Sequence, residues 1–289
     1  MIKKFLIAGA ILLAVGGQSF GAIVISGFSA NPTGTDTNNE YVQLRALQNI
    51  NFATNNFSVV VANNGAATAS GWAQGLNISY KFDLTSGTVN QGDTFYVGGS
   101  AQLLDGTGST SMAGLTWIRT IAYATTAGDG FGSLNAGGVF GNGGGNADGI
   151  GVFSGIAVTA TSTPIDAVFY GANVGTAFST PNGYRTPIND VTDGTLFGSS
   201  VPNSKLFGDA ATAGNFTRLT GVFDLGTSAW TTLRVSSFVT APTLLSQIDS
   251  TIALTAVPEP TSIALIGMVG VAGLAARYRR KNVSSSVAV

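Results

Sequence analysis

Alternation of apolar and polar residues along the middle of the chain predicts β-strands. The clearest run is 78–84, in which isoleucine, tyrosine, phenylalanine and leucine alternate with serine, lysine and aspartate. A period of two indicates a strand with one buried face and one face in solvent. Residues 42–46 alternate in the same way. Further strands are expected at 23–28, 57–62, 94–97, 115–124, 151–158, 167–170, 221–225 and 230–239.

The spacing of these strands favours one all-β domain. Turn residues separate the strands at short, fairly regular intervals, which is typical of an antiparallel immunoglobulin-like β-sandwich, here with long Gly- and Asn-rich loops. The middle of the chain is rich in Gly, Thr, Ser, Asn and Ala and almost lacks Glu and Lys, so helices are disfavoured. Only 242–249 could form one or two helical turns. We expect this exported domain to comprise residues 23–256, without an internal boundary.

The first 22 residues have a different pattern. They combine Lys3 and Lys4, an apolar run of 11 residues over 5–15, and a small, polar exit. This is the organisation of a secretory signal peptide. A retained membrane helix is the alternative, but such a run is too short to span a bilayer. We therefore predict a signal helix, export through the Sec translocon, and cleavage by signal peptidase.

Residues 257–281 join an extended tetrapeptide to an apolar run and a cationic end. Pro258 and Pro260 fix their own φ and disfavour helix at the preceding residue, so Val-Pro-Glu-Pro is expected to be extended, as a peptide-cleaving enzyme requires. Residues 263–276 carry no charge and predict a short transmembrane helix. The positive-inside rule then places the tail, 282–289, in the cytoplasm. The stop-transfer residues are Arg277, Arg279, Arg280 and Lys281.

This C-terminal segment resembles a known sorting signal. Pro258, Glu259 and Pro260, followed by a short apolar helix and an Arg-rich end, resemble the PEP-CTERM sorting signal of Gram-negative bacteria. The resemblance implies recognition by an inner-membrane exosortase, cleavage near Pro-Glu-Pro, and transfer of the protein to the cell surface. It concerns where the protein goes rather than what it does there.

A second resemblance lies within the predicted domain. Residues 27–44 contain a strand, an Asn-Pro turn and Glu-Tyr-Val-Gln-Leu, and are similar to the opening of lamin-tail-type domains, which are small immunoglobulin-like sandwiches. Ser70-Gly71-Trp72 resembles a later motif of that family, and 146–153 followed by 166–170 resembles its closing hairpin. Gln43 stands where the family has a second glutamate. The resemblance implies a sandwich and no catalysis.

Charge and missing residue types exclude several function classes. Residues 23–257 contain 13 acidic and 7 basic residues, a net charge near −6. Seven scattered cations form no basic stripe, so we expect no nucleic-acid partner. The chain contains no cysteine and no histidine. It therefore lacks disulfides, the commonest general base, the Ser-His and Cys-His nucleophile pairs, and the usual zinc ligands. We predict that the protein is not an enzyme.

A hydrolase that uses aspartates is the catalytic alternative, because two carboxylates suffice for glycoside hydrolysis. Asp190 and Asp193 are an isolated pair of aspartates in a predicted loop, and Glu40 is the only glutamate outside the sorting segment. Trp72, Trp117 and Trp230 could stack on sugars, although tryptophans in sandwiches are more commonly buried.

Two groups of oxygen-bearing side chains are candidate sites for structural calcium, and no other cofactor is predicted. Calcium binds six to eight oxygen ligands, and exported proteins encounter it at high concentration. Asn and Asp are also ordinary turn formers, so metal-free turns are the alternative. Residues 143–151 approach the calcium-binding nonapeptide once, with Asn146 in place of the glycine at its fourth position. The groups are Asp36, Asn38, Asn39 and Glu40, and, across the Gly-rich tract 128–151, Asp129, Asn142, Asn146 and Asp148.

These patterns together predict an exported protein that is held transiently at the inner membrane and then delivered to the surface or extracellular matrix. The resemblance to PEP-CTERM proteins implies a non-catalytic structural or adhesive role linked to exopolysaccharide or biofilm, with extracellular polysaccharide as a partner. A carbohydrate- or calcium-binding surface module is the competing class.

Overall fold

The structure is a computed structural model, and it describes residues 22–32, 35–62, 71–73, 79–101, 114–130, 132, 137–141, 148–171, 184–187, 214–227, 229–232, 234–240 and 250–255. The predicted signal helix, the 242–249 turn and the sorting segment lie outside these ranges. The described residues form strands, turns and bends. None of the structure within these ranges is a helix of the length and apolarity that a membrane crossing requires.

The described residues form an all-β fold, as the sequence predicts. Three sheets are present, with eight, four and two strands. The strands are β1 (Ile23–Ser29), β2 (Tyr41–Ala46), β3 (Ile50–Asn51), β4 (Phe57–Ala62), β5 (Ser79–Leu84), β6 (Thr88–Val89), β7 (Thr94–Gly99), β8 (Trp117–Ile121), β9 (Asp148–Ser154), β10 (Asp166–Tyr170), β11 (Asn215–Asp224), β12 (Ala229–Trp230), β13 (Val235–Thr240) and β14 (Thr251–Thr255).

The eight-stranded sheet is mixed rather than purely antiparallel, which corrects the prediction. Its order is β12-β11-β1-β2-β7-β8, and β13 and β14 also pair with β11. Two pairs, β7 with β8 and β11 with β14, are parallel. β11 is long enough, at 10 residues, to pair with β1 and β13 along its first part and with β12 and β14 along its second. It therefore joins the end of the described chain to its beginning.

The four-stranded sheet has the order β10-β9-β4-β5 and is antiparallel throughout. Its central strand β4, Phe-Ser-Val-Val-Val-Ala, is rich in β-branched residues, which favour the extended backbone. β9 and β10 form an antiparallel pair, with Asp148 opposite Tyr170. The remaining sheet consists of the short pair β3 and β6.

One hydrophobic core lies between the two larger sheets. Both contribute alternate residues to it, such as Val42 and Leu44 from β2 and Val59 and Val61 from β4. A period of two places these side chains on one face of each strand. Burial of each such side chain stabilises the fold by about 1.5–3 kcal/mol. The core is thus the main source of stability in a chain without cysteine.

The outer face of the four-stranded sheet is also buried, although the sequence predicted half-exposed strands. Trp72, which is fully buried, packs there beside Phe153 and Phe169. A Cβ atom at Gly151 would lie 3.1 Å from the Trp72 ring, so a glycine in β9 lets the indole approach the sheet. On β5, the expected outward-facing Lys81 is only 6% exposed.

Polar contacts hold Lys81 in this buried position. Its Nζ donates a hydrogen bond to the Ile156 carbonyl at 2.6 Å and lies 3.1 Å from an Asp83 carboxylate oxygen. These contacts satisfy the charge that burial would otherwise leave uncompensated. A perfect alternation in the sequence therefore identified the strand but not the burial of its polar face.

Several strand boundaries differ from the prediction for identifiable reasons. The run 151–158 is displaced to Asp148–Ser154, because Gly155 turns the chain with φ 79°. The run 230–239 is divided into β12 and β13, and Arg234 between them is only 5% exposed. β14 was not predicted, although Ile252 and Leu254 alternate with smaller residues.

Candidate functional site

The loop between β1 and β2 carries the first predicted group of oxygen ligands. The Asn39 amide N–H donates to the Asp36 carbonyl at 3.0 Å, and the Asn39 side-chain amide donates to the Thr35 carbonyl at 2.9 Å. Asn38 has φ 61°, a left-handed conformation that asparagine tolerates better than most residues. The loop thus closes on itself and ends at Glu40, immediately before β2.

Glu40 is fully buried, with no exposed side-chain surface. Its Oε2 accepts hydrogen bonds from the backbone N–H groups of Val139 and Phe140, at 2.6 and 3.1 Å. Burial raises the pKa of Glu40 well above its usual range; these two hydrogen bonds oppose the shift, and the charge of Asp36 adds to it. The glutamate therefore anchors segment 137–141 to the loop before β2.

Gly138 allows that segment to approach the loop closely. Its φ is 105°, which favours glycine, and a Cβ atom there would lie 2.7 Å from the Asp36 Cβ and 2.8 Å from the Glu40 Oε2. The Asp36 and Glu40 side chains therefore flank the same glycine. Two residues of the predicted group are thus brought together by the fold.

Two buried tyrosines, Tyr123 and Tyr170, interact with Glu40. The Tyr123 hydroxyl donates to the Glu40 carbonyl at 2.9 Å. Burial raises the pKa of Tyr170 well above its usual range, and the charges of Asp148 and Glu40 raise it further. Asp148 itself is only 1% exposed, and a side chain at Gly141 would overlap its carboxylate. Asp148 therefore lies on the side of the molecule that holds Glu40.

Two oxygen atoms of the loop are buried without a hydrogen-bond partner among the described residues: Glu40 Oε1 and Asn39 Oδ1. Asn39 is only 6% exposed. Most buried side-chain polar atoms in proteins have a partner, so each exception requires an explanation. These two atoms belong to consecutive residues of one candidate group.

The second predicted group is arranged differently. Asp129 forms a bidentate ion pair with Arg119, at 2.6 and 2.9 Å, and also accepts a hydrogen bond from the Asp83 backbone N–H at 2.8 Å. Its charge adds to the effect of burial in raising the pKa of Tyr80 to about 12. Asp129 therefore belongs to an ion-pair network beside β5 and β8. Asn142 and Asn146 lie outside the described residues.

The part of the chain that the structure describes contains no group of three or more acidic, histidine or cysteine side chains arranged to hold a metal ion. Calcium binding stays a prediction for both groups. Any site in the first loop would have to combine its two carboxylates with amide, carbonyl or water oxygens.

The three tryptophans differ in exposure. Trp72 is buried, with its indole N–H donating to the Arg185 carbonyl at 3.0 Å, and Trp230 is 6% exposed. Trp117, at the start of β8, is only partly buried, and its ring lies 5.4 Å from that of Tyr96. Of the three, Trp117 is the least buried and is therefore the candidate for stacking on a sugar.

The ion pair between Arg234 and Asp166 is a feature that sequence reasoning missed. Its side chains are 1% and 2% exposed, and the two charged groups meet at 2.8 Å. Asp166 Oδ2 also accepts a hydrogen bond from the Ile25 backbone N–H at 2.7 Å. The available signal was the position of an aspartate at the start of an apolar strand in a chain with only 9% charged residues.

The remaining predicted site residues lie outside the described part of the chain. These are the catalytic alternative Asp190 and Asp193, the sorting residues Pro258, Glu259 and Pro260, and the stop-transfer residues Arg277, Arg279, Arg280 and Lys281. β14 ends at Thr255, so the described fold extends to within three residues of Pro258.

Residues 256–281 match the family model of the PEP-CTERM protein-sorting motif. The chain carries a PEP-CTERM sorting motif. This confirms the interpretation of the Pro-Glu-Pro segment, and it implies an exported protein that an exosortase recognises and sorts at the membrane. Comparison with curated proteins and with solved structures found no match to the chain.

Proposed function

We propose that the described domain is a non-catalytic structural or adhesive module, which exosortase-dependent sorting delivers to the surface or extracellular matrix of a Gram-negative bacterium. The PEP-CTERM motif at 256–281 carries this proposal, because it directly follows the last strand of the domain. The expected partners are signal peptidase, the Sec translocon, exosortase and an extracellular polysaccharide, with a role in exopolysaccharide or biofilm.

The immunoglobulin-like sandwich belongs to the same proposal. Two sheets that contribute to one core support it, as does the antiparallel pairing of β9 and β10, the strands that resemble the closing hairpin of lamin-tail-type domains. The addition of β11 to β14 to the larger sheet would be a feature of this chain.

A non-catalytic role is supported by the structural contacts of three of the described carboxylates. Asp166 and Asp129 each bind an arginine, and Glu40 holds a backbone segment. An Asp-based hydrolase would instead need two carboxylates on either side of a substrate cleft. Carbohydrate binding is the second candidate, because the Trp117 ring is partly exposed beside Tyr96.

Replacement of Pro258, Glu259 and Pro260 by alanines tests the sorting route. Alanine removes the fixed φ angles and lets the following helix extend backward, so the extended peptide is lost. We expect the variant to stay in the inner membrane at full length, whereas the wild type reaches the surface in a shortened form. Cell fractionation and mass spectrometry of the surface fraction measure both outcomes.

The matched control replaces Ser284, Ser285 and Ser286 by alanines, which makes an equal number of changes beyond the predicted stop-transfer residues. This control should be processed like the wild type. Peptides from beyond Arg277 in the surface form of the wild type, or normal processing of the Pro-Glu-Pro variant, would contradict the proposed route.

A further inference from the structure

The starting point is the buried Glu40 side chain. A carboxylate without exposed surface is costly unless its charge and both of its oxygens are compensated. Oε2 receives two backbone N–H groups, but Oε1 has no partner among the described residues. The ion pairs present in those residues join Lys81 to Asp83, Arg119 to Asp129 and Arg234 to Asp166, so none of them compensates Glu40.

Protonation of Glu40 is the alternative to a bound cation. A proton on Oε1 would remove the charge but create a hydroxyl donor, which in turn needs a buried acceptor. The neighbouring Asn39 Oδ1 is also buried without a partner, and it requires a donor or a cation. A cation satisfies a carboxylate oxygen and an amide oxygen at once, because both are hard ligands of the type that calcium prefers.

A second acidic side chain, that of Asp36, lies near Glu40. Asp36 and Glu40 both flank Gly138, and the charge of Asp36 acts on Glu40. The Asn39 N–H bond to the Asp36 carbonyl closes the loop that carries all three side chains. We propose that this loop binds a divalent cation, calcium in the exported environment, through Glu40 Oε1 and the side-chain oxygens of Asp36 and Asn39.

The fold favours this loop over the Gly-rich tract. Asp129 has its two carboxylate oxygens on the Arg119 guanidinium, so a cation there would compete with an arginine. Glu40 has no such competitor among the described ion pairs. Backbone carbonyls and water complete the coordination. With two carboxylates, the dissociation constant is expected in the range of about 10⁻⁴ to 10⁻³ M that is typical of extracellular modules.

Terbium luminescence tests the site directly, with the full-length chain purified in detergent. Terbium replaces calcium at oxygen sites, and the rings of Tyr123 and Tyr170, which border Glu40, would sensitise its emission. We expect a saturable terbium signal that calcium displaces, and a calcium dissociation constant, calculated with the competition from terbium included, of about 10⁻⁴ to 10⁻³ M. Calcium should also raise the unfolding temperature relative to chelator, because it binds only the folded state.

Matched variants assign the signal to the loop. Glu40→Gln is nearly isosteric and should abolish both the terbium signal and the calcium-dependent rise in unfolding temperature. Asn39→Ala should weaken binding at least tenfold, and Asp36→Asn serves as a second charge-removing variant if Glu40→Gln fails to fold. Asp129→Asn should leave the signal intact.

Three results would overturn the proposal. One is a wild-type chain that gives no saturable terbium emission and has the same unfolding temperature in chelator and in millimolar calcium. Another is a signal that persists in folded Glu40→Gln and Asp36→Asn chains. The third is a signal that Asp129→Asn removes while Glu40→Gln retains it, since this would place the site in the Gly-rich tract.

Discussion

Replacement of Arg234 by methionine removes the most deeply buried ion pair of the described fold and should cause a large loss of stability. Methionine keeps the aliphatic part of the side chain but leaves Asp166 without its two guanidinium hydrogen bonds of 2.8 Å. The guanidinium also donates to the Ala167 carbonyl at 2.9 Å and lies 4.4 Å from the centre of the Trp230 ring. It thus connects the β12–β13 region to β10.

The expected cost follows from burial of the partner that remains. Removal of one member of a buried pair typically costs about 3–5 kcal/mol, because the other charge stays buried and uncompensated. Asp166 retains the hydrogen bond from the Ile25 N–H at 2.7 Å, which offsets part of this cost. We therefore expect a loss of about 3 kcal/mol in the free energy of unfolding near neutral pH. This is a large fraction of the roughly 5–15 kcal/mol that stabilises a typical protein.

Denaturant unfolding of the full-length chain in detergent, monitored by tryptophan fluorescence, measures this loss of stability. The double variant Arg234→Met with Asp166→Leu replaces both charges by apolar groups. It should be more stable than the single Arg234→Met variant, although the Ile25 N–H then lacks its acceptor at a cost of about 1–3 kcal/mol. The surface control Arg185→Met, in an exposed side chain, should change stability by less than about 0.5 kcal/mol.

Two results would refute the reasoning about this ion pair. If Arg234→Met costs less than about 1 kcal/mol, Asp166 is not left buried and charged. The stability losses of the single variants Arg234→Met and Asp166→Leu can also be added and compared with the loss in the double variant. If the double variant loses the full sum, the two residues are not energetically coupled, contrary to their direct contact.

Two further predictions concern Tyr80 and Trp117. The pKa of Tyr80 is raised to about 12 in the fold, so its contribution to stability is complete below pH 10 and is lost as the pH rises through 12. The Tyr80→Phe variant should therefore lose less stability than the wild type between pH 10 and 12, as measured by denaturant unfolding. An equal loss of stability in both proteins would contradict the raised pKa. If the protein binds carbohydrate, Trp117→Ala should weaken binding of a surface polysaccharide by about 1–3 kcal/mol, as expected for an aromatic hot spot. The control Trp72→Phe, at a buried position, should leave the affinity unchanged. Titration calorimetry measures both affinities, and equal values for Trp117→Ala and the wild type would exclude Trp117 as a sugar-stacking residue.

The strands that the sequence predicted are those whose local pattern determines them. β4 agrees with the predicted run, because consecutive β-branched residues strongly favour extended backbone. β1 and β10 agree within one residue. Strand pairing is a different matter, since a period of two does not indicate which strands are neighbours. The parallel pairs β7–β8 and β11–β14 join segments with no local signal of that direction.

Buried polar residues explain the other differences between sequence and structure. Alternation predicted an exposed Lys81, but the carbonyl of Ile156, 75 positions away, provides its buried partner. Asp129 was grouped with Asp148 because both lie in the Gly-rich tract, and the fold separates their roles through an arginine on β8. Glu40 was identified as a candidate ligand, yet its burial depends on segment 137–141, about 100 positions along the chain.

The position of β14 links the domain to its sorting motif. β14 ends at Thr255, and the motif begins at residue 256, so only Ala256 and Val257 separate the last strand from Pro258. Two extended residues span about 7 Å. β14 is fixed by its parallel pairing with β11, by the Thr251 hydroxyl that donates to the Leu219 carbonyl at 2.9 Å, and by the buried Ile252. An exosortase that contacts a few residues on each side of Pro-Glu-Pro must therefore work directly against the folded sheet. Because only two residues lie between β14 and Pro258, we expect substitutions on the surface around the ends of β14 and β11 to affect sorting.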